Sequence, residues 1–151
     1  MGKTEIHKKL DELFENPNHT FVGYFIGSPG MNLIDVTATK SGIEFDGISI
    51  PFSENRLDQL NATSSSNIKI GIRPEFVHVW NKPTEDAYKC EVMHVEDLGT
   101  YKILTLQLAS HTIKARLDED HKIPEKNAYI SFPEQWLKLY IDEFLVEENH
   151  A

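Results

Sequence analysis

The chain has 151 residues, of which 40% are hydrophobic and 26% are charged, and its formal net charge is −9. This length and composition fit about one folded domain with a substantial core. The acidic balance argues against a nucleic-acid binder and against a surface that sits on anionic lipid. No apolar run approaches the roughly 20 residues of a membrane span. Cys90 is the one cysteine, which excludes a disulfide framework, so we expect a cytosolic protein.

The N-terminal stretch has a helical pattern. Apolar residues in the range 6–14 recur at i, i+4, i+7 and i+8, and Asn16-Pro17 ends that helix because the residue before proline avoids the α region. A second short helix is predicted from Phe21 to Ile26, and the Gly27-Ser28-Pro29-Gly30 run ends it. These two helices predict a short helical segment before the main domain.

From Asn32 onward the apolar period changes to two, as in half-buried strands. Asp46-Gly47 lies between two short apolar runs and predicts a tight hairpin, because both residues tolerate positive φ. Many short alternating runs with turns between them are typical of an all-β barrel or sandwich. The other alternating runs are Ile34 to Ala38, Ile68 to Ile72, Leu104 to Leu108 and Ile113 to Leu117.

A weak internal echo links residues 70–80 with residues 130–140. In each stretch an apolar strand runs into a Pro-Glu pair, an aromatic residue follows, and a second strand begins. Proline presets φ for a first helical position, and the glutamate favours the positive end of a helical turn. We therefore predict a single helical turn at a strand corner at both Pro74-Glu75 and Pro133-Glu134.

None of the candidate chemical motifs is complete. Gly2-Lys3-Thr4 resembles the end of a phosphate-binding loop, but the glycine-rich residues that would cradle phosphate are missing before it. His94 and Glu96 lack the cysteines of a zinc deaminase site, and Asp118-Glu119-Asp120 lacks the spacing of a calcium loop. The sequence predicts no catalytic, cofactor-binding or metal-binding residues, and no ATP hydrolysis by this chain.

Two motifs carry a resemblance to a known family. The run Phe25 to Asn32 reads Phe-Ile-Gly-Ser-Pro-Gly-Met-Asn, and Gly71 to Glu75 reads Gly-Ile-Arg-Pro-Glu. Together with Val95 to Gly99, they resemble the C-terminal regulatory region of carbohydrate-type ABC importer ATPases, the maltose and glycerol-3-phosphate importer group. Asp11 to Pro17 is similar to the helix that leads out of the nucleotide-binding domain. The resemblance covers Asp11 to Val146.

The resemblance implies an all-β fold of the transport-associated OB (TOBE) or Mop-like type, an antiparallel barrel of two intertwined halves after a short N-terminal helical segment. Residues 1–27 would be a helical linker from an absent nucleotide-binding domain. Residues 28–146 would form the OB-like regulatory domain, with halves at about 30–80 and 88–146. Residues 147–151 would be a flexible tail.

The function that the resemblance implies is regulation and dimerisation of the ATP-binding subunit of an ABC importer for sugars or glycerol-3-phosphate. ATP and magnesium would bind only in the parent nucleotide-binding domain. Expected partners are a second copy, the nucleotide-binding domain, the membrane subunits and a possible protein regulator. The chain would then be cytoplasmic and peripheral to the inner face of the membrane. The alternative is a Mop-like module that binds a small oxyanion or other small ligand.

The family motifs supply the candidate interface residues. Arg73 and Glu75 are paired charges, for which a corner salt bridge or cap is the simplest interpretation, whereas Phe21, Tyr24 and Phe25 suit the docking of a neighbouring domain. Phe76 stands where the family often has histidine. The full set of candidates is Phe21, Phe25, Gly27, Ser28, Pro29, Met31, Asn32, Gly71, Arg73, Pro74, Glu75, Leu98 and Gly99.

Overall fold

The structure is a computed structural model that describes residues 30–146. The two predicted helices of the N-terminal stretch lie outside the described residues. Within the described range the chain forms eleven β-strands and one α-helix. The strands are β1 Asn32–Ala38, β2 Gly42–Phe45, β3 Ile48–Pro51, β4 Ile68–Ile72, β5 His78–Trp80, β6 Tyr88–Asp97, β7 Tyr101–Leu108, β8 His111–Asp118, β9 Asn127–Ser131, β10 Lys138–Ile141 and β11 Phe144–Leu145, and the helix is α1 Glu54–Asn61.

The strands form two sheets, which confirms the predicted all-β fold class. One sheet has six strands in the order β11-β10-β4-β1-β2-β3, and the other has five in the order β5-β9-β6-β7-β8. Within the five-stranded sheet every pair of neighbours is antiparallel, and so are the pairs β1–β2, β4–β10 and β10–β11 of the six-stranded sheet. Both sheets mix neighbouring strands with strands that are distant along the chain.

The described residues pack into two compact units. The first contains 30–45, 49–71 and 138–146, and the second contains 46–48 and 72–137. The chain therefore leaves the first unit, builds the second, and returns to the first at its end.

This division differs from the predicted halves, 30–80 and 88–146. The reason is the pairing of β10 with β4, which brings the last strands into the first unit through contacts such as Leu139 opposite Ile70. The predicted boundary at the Pro-containing loop near residue 83 falls inside the second unit. A pairing between strands that are about 70 residues apart leaves no local mark in the sequence, so alternation alone did not reveal it.

The first unit contains the clearest alternating strand. Ile34 and Val36 are buried on β1, whereas Asp35 between them and Thr37 after them are exposed. The alternation therefore predicted correctly which face of β1 enters the core.

The predicted hairpin at Asp46-Gly47 is confirmed. Both turn residues have positive φ, 49° and 80°, which is the combination that a two-residue hairpin turn needs. It joins β2 to β3, which are neighbours in the six-stranded sheet.

Helix α1 was missed by the sequence analysis. Its buried side chains are Arg56 and Leu60, four residues apart on one face. The Arg56 guanidinium lies 5.4 Å from the centre of the Phe52 ring, so a charged residue occupies the position where an apolar one would have marked the helix. With eight residues and an arginine on its inner face, α1 carries only a weak amphipathic signal.

The second unit is built on the antiparallel meander β6–β7–β8. The side chains of Leu104, Leu106 and Leu108 on β7 are buried. Ile113 and Ala115 are buried on β8, in the cross-strand positions opposite Leu106 and Leu104. This central strand, with a neighbour on each side, holds the core of the unit.

Candidate functional site

The motif residues Met31 and Gly71 meet in the interior of the first unit. Met31 is 2% exposed, and the Tyr140 hydroxyl lies 3.9 Å from its sulfur. A Cβ added at Gly71 would come within 3.0 Å of the Met31 sulfur and 3.1 Å of the Leu33 side chain. A larger residue at Gly71 would therefore displace the ends of the Met31 and Leu33 side chains, and Asn32, which follows Met31 in the chain, is also buried. These motif residues shape a core and do not present a surface.

The remaining candidates differ in accessibility. Leu98 is exposed and Gly99, also exposed, has a φ of 93°, so both lie at the surface in the turn between β6 and β7. The candidates that lie outside the described residues are Phe21, Phe25, Gly27, Ser28 and Pro29.

The first Pro-Glu corner is a single helical turn, as predicted. Residues Pro74–Phe76 form a 3₁₀ turn after extended Arg73, and the Phe76 N–H donates to the Arg73 carbonyl at 3.0 Å. Pro74 is buried and Glu75 is exposed. The Arg73 side chain makes no capping hydrogen bond to the turn. The shape of the corner is therefore set by the proline, which presets φ, and by the backbone hydrogen bonds of the turn.

The second Pro-Glu corner is also a single 3₁₀ turn and touches the first, but Pro133 precedes its turn, whereas Pro74 is the first residue of its own, so the predicted position of the proline is confirmed only at the first corner. Glu134–Trp136 is a 3₁₀ turn, with the Trp136 N–H donating to the Pro133 carbonyl at 3.0 Å. The rings of Phe76 and Trp136 are stacked, with centroids 4.0 Å apart and planes 4° from parallel. The sequence echo predicted a helical turn at both corners, and the structure adds that their aromatic residues pack face to face. An aromatic after each Pro-Glu pair was the signal for this contact.

A cleft of about 360 Å³ opens beside the first corner, within the second unit. Its ionisable side chains are two carboxylates, one guanidinium and two imidazoles. The Arg116 guanidinium also lies 3.9 Å from the centre of the Tyr101 ring, which fixes one wall by a cation–π contact. The lining residues are Glu75, Val77, His78, Val79, Trp80, Arg116, Leu117, Asp118 and His121.

The charges of this cleft do not suit a small oxyanion. Glu75 and Asp118 supply two negative charges against the single positive charge of Arg116, and sites for oxyanions place donors and cations around the ligand. Within residues 30–146, no group of three or more His, Cys, Asp or Glu side chains is placed to hold a metal ion. The charged side chains therefore give the cleft a net negative lining, beside apolar wall residues such as Val77 and Leu117.

A Ser-His-Asp cluster, which the sequence analysis missed, lies elsewhere in the second unit. Asp46 Oδ2 accepts hydrogen bonds from the Ser110 backbone N–H at 3.1 Å and from the Ser110 hydroxyl, and it lies 2.9 Å from His111 Nδ1. Ser110 Oγ is 3.4 Å from that same Nδ1. A nucleophile, base and orienting acid need the two different nitrogens of the imidazole. The cluster is therefore a turn-stabilising contact and not a catalytic triad.

Cys90 is the remaining nucleophilic group, and its surroundings make it unreactive. It is 4% exposed, and burial raises the pKa of its thiol to about 11, against a smaller opposing effect of a backbone hydrogen bond at Ala128. A thiol with this pKa is almost fully protonated at neutral pH and is a poor nucleophile or metal ligand.

The chain matches two family models. Residues 27–77 match the MalK OB fold domain, and residues 70–135 match the TOBE domain. The two matches together cover the first strands, the motif Gly71 to Glu75, the first motif from Gly27 onward, and most of the second unit.

Curated relatives extend the same likeness. The chain is 33% identical over 144 residues to the multiple sugar-binding transport ATP-binding protein MsmK of Streptococcus mutans, covering 87% of this chain and 37% of that protein. It is 34% identical over 116 residues to the sn-glycerol-3-phosphate import ATP-binding protein UgpC of Chromobacterium violaceum, with 74% and 30% covered. The trehalose/maltose import ATP-binding protein MalK of Thermococcus litoralis is 29% identical over 124 residues, with 76% and 33% covered.

The fold and the motif corners define an all-β protein of the OB class. The chain belongs, by both family matches and these relatives, to the OB and TOBE region of the ATP-binding subunits of ABC importers for sugars and glycerol-3-phosphate. It spans about a third of the length of the relatives it matches. The matched region is their C-terminal OB and TOBE region and excludes their catalytic ATPase motifs. In the part of the chain that the structure describes, no helix is long and apolar enough to span a membrane.

Proposed function

We propose that this chain is the regulatory and dimerisation domain of the ATP-binding subunit of an ABC importer for sugars or glycerol-3-phosphate. The observation that carries the proposal is the pair of adjoining family matches over 27–135, together with relatives whose names describe import of sugars or of glycerol-3-phosphate. A tethered pair of such domains keeps two motor domains at high effective concentration after ATP is lost.

The same proposal assigns the chemistry to other parts of the machine. ATP and magnesium bind in the nucleotide-binding domain of the parent protein, and this chain does not hydrolyse ATP by itself. Through that domain and the membrane subunits, the protein acts at the cytoplasmic face of the membrane. A protein regulator is a further possible partner of the exposed corners. Support for this division of roles is that the chain matches only the C-terminal region of its relatives.

Sedimentation equilibrium of the purified chain, over a range of protein and salt concentrations, tests the proposal. We expect a weak dimer that tightens as salt rises, because the net charge of −9 repels a second copy and salt screens this repulsion over about 8 Å at physiological ionic strength. Calorimetric titration with Mg-ATP should give no saturable binding. A strict monomer at high protein and salt concentration would contradict self-association by this domain.

The small-oxyanion alternative has a separate test. Titration with molybdate, sulfate and phosphate distinguishes it, since micromolar binding of any of these would favour a ligand-binding module. The net negative lining of the cleft leads us to expect no such binding.

A further inference from the structure

The cleft beside the first corner lies where the two outer strands of the five-stranded sheet come together. Strands β5 and β8 stand at opposite ends of the strand order, yet residues 78–80 of β5 and 116–118 of β8 line the same cleft. The sheet therefore curls until its two edges border one cavity. The volume of about 360 Å³ falls within the range of pockets that take small molecules, and such pockets are common at the openings of β-barrels.

The cleft combines buried apolar residues with one exposed aromatic ring. Val77 and Leu117 are buried, whereas Trp80 is 41% exposed. The Trp80 Nε1–H donates to Ser131 Oγ at 3.4 Å, and the His78 ring stands edge-on to the indole, with centroids 6.1 Å apart. These contacts hold the indole in place and use its one polar hydrogen. Trp80 can therefore offer a ligand only the flat surface of its ring, whose negative face attracts C–H groups.

Most polar groups of the cleft are hydrogen-bond acceptors. The ionised carboxylates of Glu75 and Asp118 can only accept, and in the described part of the chain neither forms an ion pair. His121 Nδ1 lies 2.9 Å from the Lys122 carbonyl, which can only accept. Nδ1 therefore carries the proton, and Nε2 of the neutral imidazole is a third acceptor. The strong donor of the cleft is Arg116, whose guanidinium cannot accept.

This set of groups matches a neutral ligand that is rich in hydroxyl groups. A hydroxyl donates to a carboxylate and accepts from a guanidinium, so one kind of ligand group satisfies Glu75, Asp118 and Arg116 together. A small anion would meet two carboxylates, and a cation would meet the guanidinium. Sugars also carry C–H groups on their ring faces, which pack against an exposed indole such as that of Trp80.

We propose that this cleft binds a neutral carbohydrate, a mono- or disaccharide. Its hydroxyls contact Glu75, Asp118 and Arg116, and a C–H face of the sugar ring packs on Trp80. The inference goes beyond the proposed function, because this binding needs neither a second copy of the chain nor a nucleotide-binding domain. The bound sugar contacts β5, β8 and the first corner, and it bridges the two edges of the sheet.

Tryptophan fluorescence of the full chain tests the binding directly, because one of the two tryptophans, Trp80, lines the cleft. Trp136→Phe keeps an aromatic ring against Phe76 and leaves Trp80 as the single reporter. Titration with glucose, maltose and sucrose should change the emission saturably for at least one of them, with a dissociation constant of about 1 mM or below. Calorimetry on the wild-type chain should give the same constant. Absence of saturable binding for all three sugars would overturn the proposal.

Spermidine, titrated at constant ionic strength, separates a carbohydrate site from a cation site. We expect spermidine to bind more weakly than the sugar, and tighter binding would replace the carbohydrate by a cation. Arg116→Gln gives a second reading of the same question. Loss of the guanidinium donor should weaken sugar binding, whereas a cation would bind more tightly once this positive charge is gone.

Carboxylate variants locate the binding within the molecule. Asp118→Asn removes a charged acceptor of the cleft, so the dissociation constant of the sugar should rise at least tenfold. The matched control is Asp120→Asn, the same change two positions further along the chain, which should leave binding unchanged. Trp80→Ala removes the flat surface on which the sugar packs and should also weaken binding at least tenfold. Sugar binding that is unchanged in either Asp118→Asn or Trp80→Ala would overturn the assignment of the cleft.

Urea unfolding and circular dichroism verify that each variant is folded, and if Trp80→Ala does not fold, Asp118→Asn and its control decide. The outcome is independent of the proposed self-association. A chain that binds none of the sugars but dimerises would overturn only the carbohydrate site. A chain that binds sugar and stays monomeric would contradict only the self-association.

Discussion

The two tight turns of the β6–β7–β8 meander differ in their contacts with the rest of the unit and in the exposure of their apolar residues. The turn between β7 and β8 is bound to Asp46 of the same unit, through Ser110 and His111, and Leu108 before it is 1% exposed. The turn between β6 and β7 has a local bond from the Gly99 N–H to Asp97 at 2.9 Å, and Leu98 within it is 45% exposed. One turn is anchored, whereas the other projects apolar side chains to solvent.

The difference shows that apolar residues in directly opposite positions of this unit can differ in burial. Val95 is 38% exposed, although Leu104 in the directly opposite position on β7 is fully buried. Strand β7 has β6 on one side and β8 on the other, whereas the end of β6 has only β7. An edge position alone does not decide burial, because Ile113 and Leu117 on the edge strand β8 are buried.

The largest expected effect is a difference between these two regions in how much the truncation of one apolar side chain lowers the free energy of unfolding. Leu106→Ala, in the fully buried middle of β7, should lower the free energy of unfolding by about 2–5 kcal/mol because it leaves a cavity. Met93→Ala, on the exposed end of β6, should change it by less than about 0.5 kcal/mol. Urea unfolding at low protein concentration measures both. Equal losses would mean that the end of β6 is as well packed as the core.

A smaller expected effect is the pH dependence of the free energy of unfolding that follows from the raised pKa of Cys90 on β6. Because burial raises the pKa of this thiol from its ordinary 9.0 to about 11, the folded state holds the proton more tightly than the unfolded state. The resulting stability is fully present below pH 9 and is lost as pH rises to 11, by about 2–3 kcal/mol.

The measurement is urea unfolding of the wild type and of Cys90→Ala between pH 8 and pH 11. The wild type should lose stability relative to the variant across this interval, because the variant lacks the titrating thiol. Parallel pH profiles would mean that the paired half of β6 is open enough to solvate a thiolate, and the contrast with its exposed half would disappear.

The sequence predicted most of the strands and both corners, because alternation, Asp-Gly turns and Pro-Glu turns are local signals. It did not predict the stack of Phe76 on Trp136 or the meeting of Met31 with Gly71, since these contacts join residues that are 60 and 40 positions apart in the chain. Helix α1 was not predicted because Arg56 lies on its buried face. The exposure of the apolar residues at the end of β6 was not predicted, because apolar residues at alternate positions normally indicate a buried face.

The smallest expected effect concerns the anchored turn. The hydrogen bonds from the Ser110 hydroxyl and then from its backbone N–H, with a further contribution from His111, lower the pKa of Asp46 below its ordinary value of 3.8. A carboxyl group whose pKa is lowered by folding contributes stability above its unfolded pKa, and the contribution is lost as pH falls through the folded pKa. Asp46→Asn keeps a residue that tolerates the φ of 49° but removes the charge. It should therefore lower the unfolding midpoint at pH 7, and the difference from the wild type should shrink below about pH 4.

Ser110→Ala is the matched variant, and in its background Asp46→Asn should have a smaller effect, because the largest partner is already missing. If Asp46→Asn has the same effect at pH 3 and pH 7, the carboxylate does not anchor this turn, and its difference from the β6–β7 turn must come from packing alone.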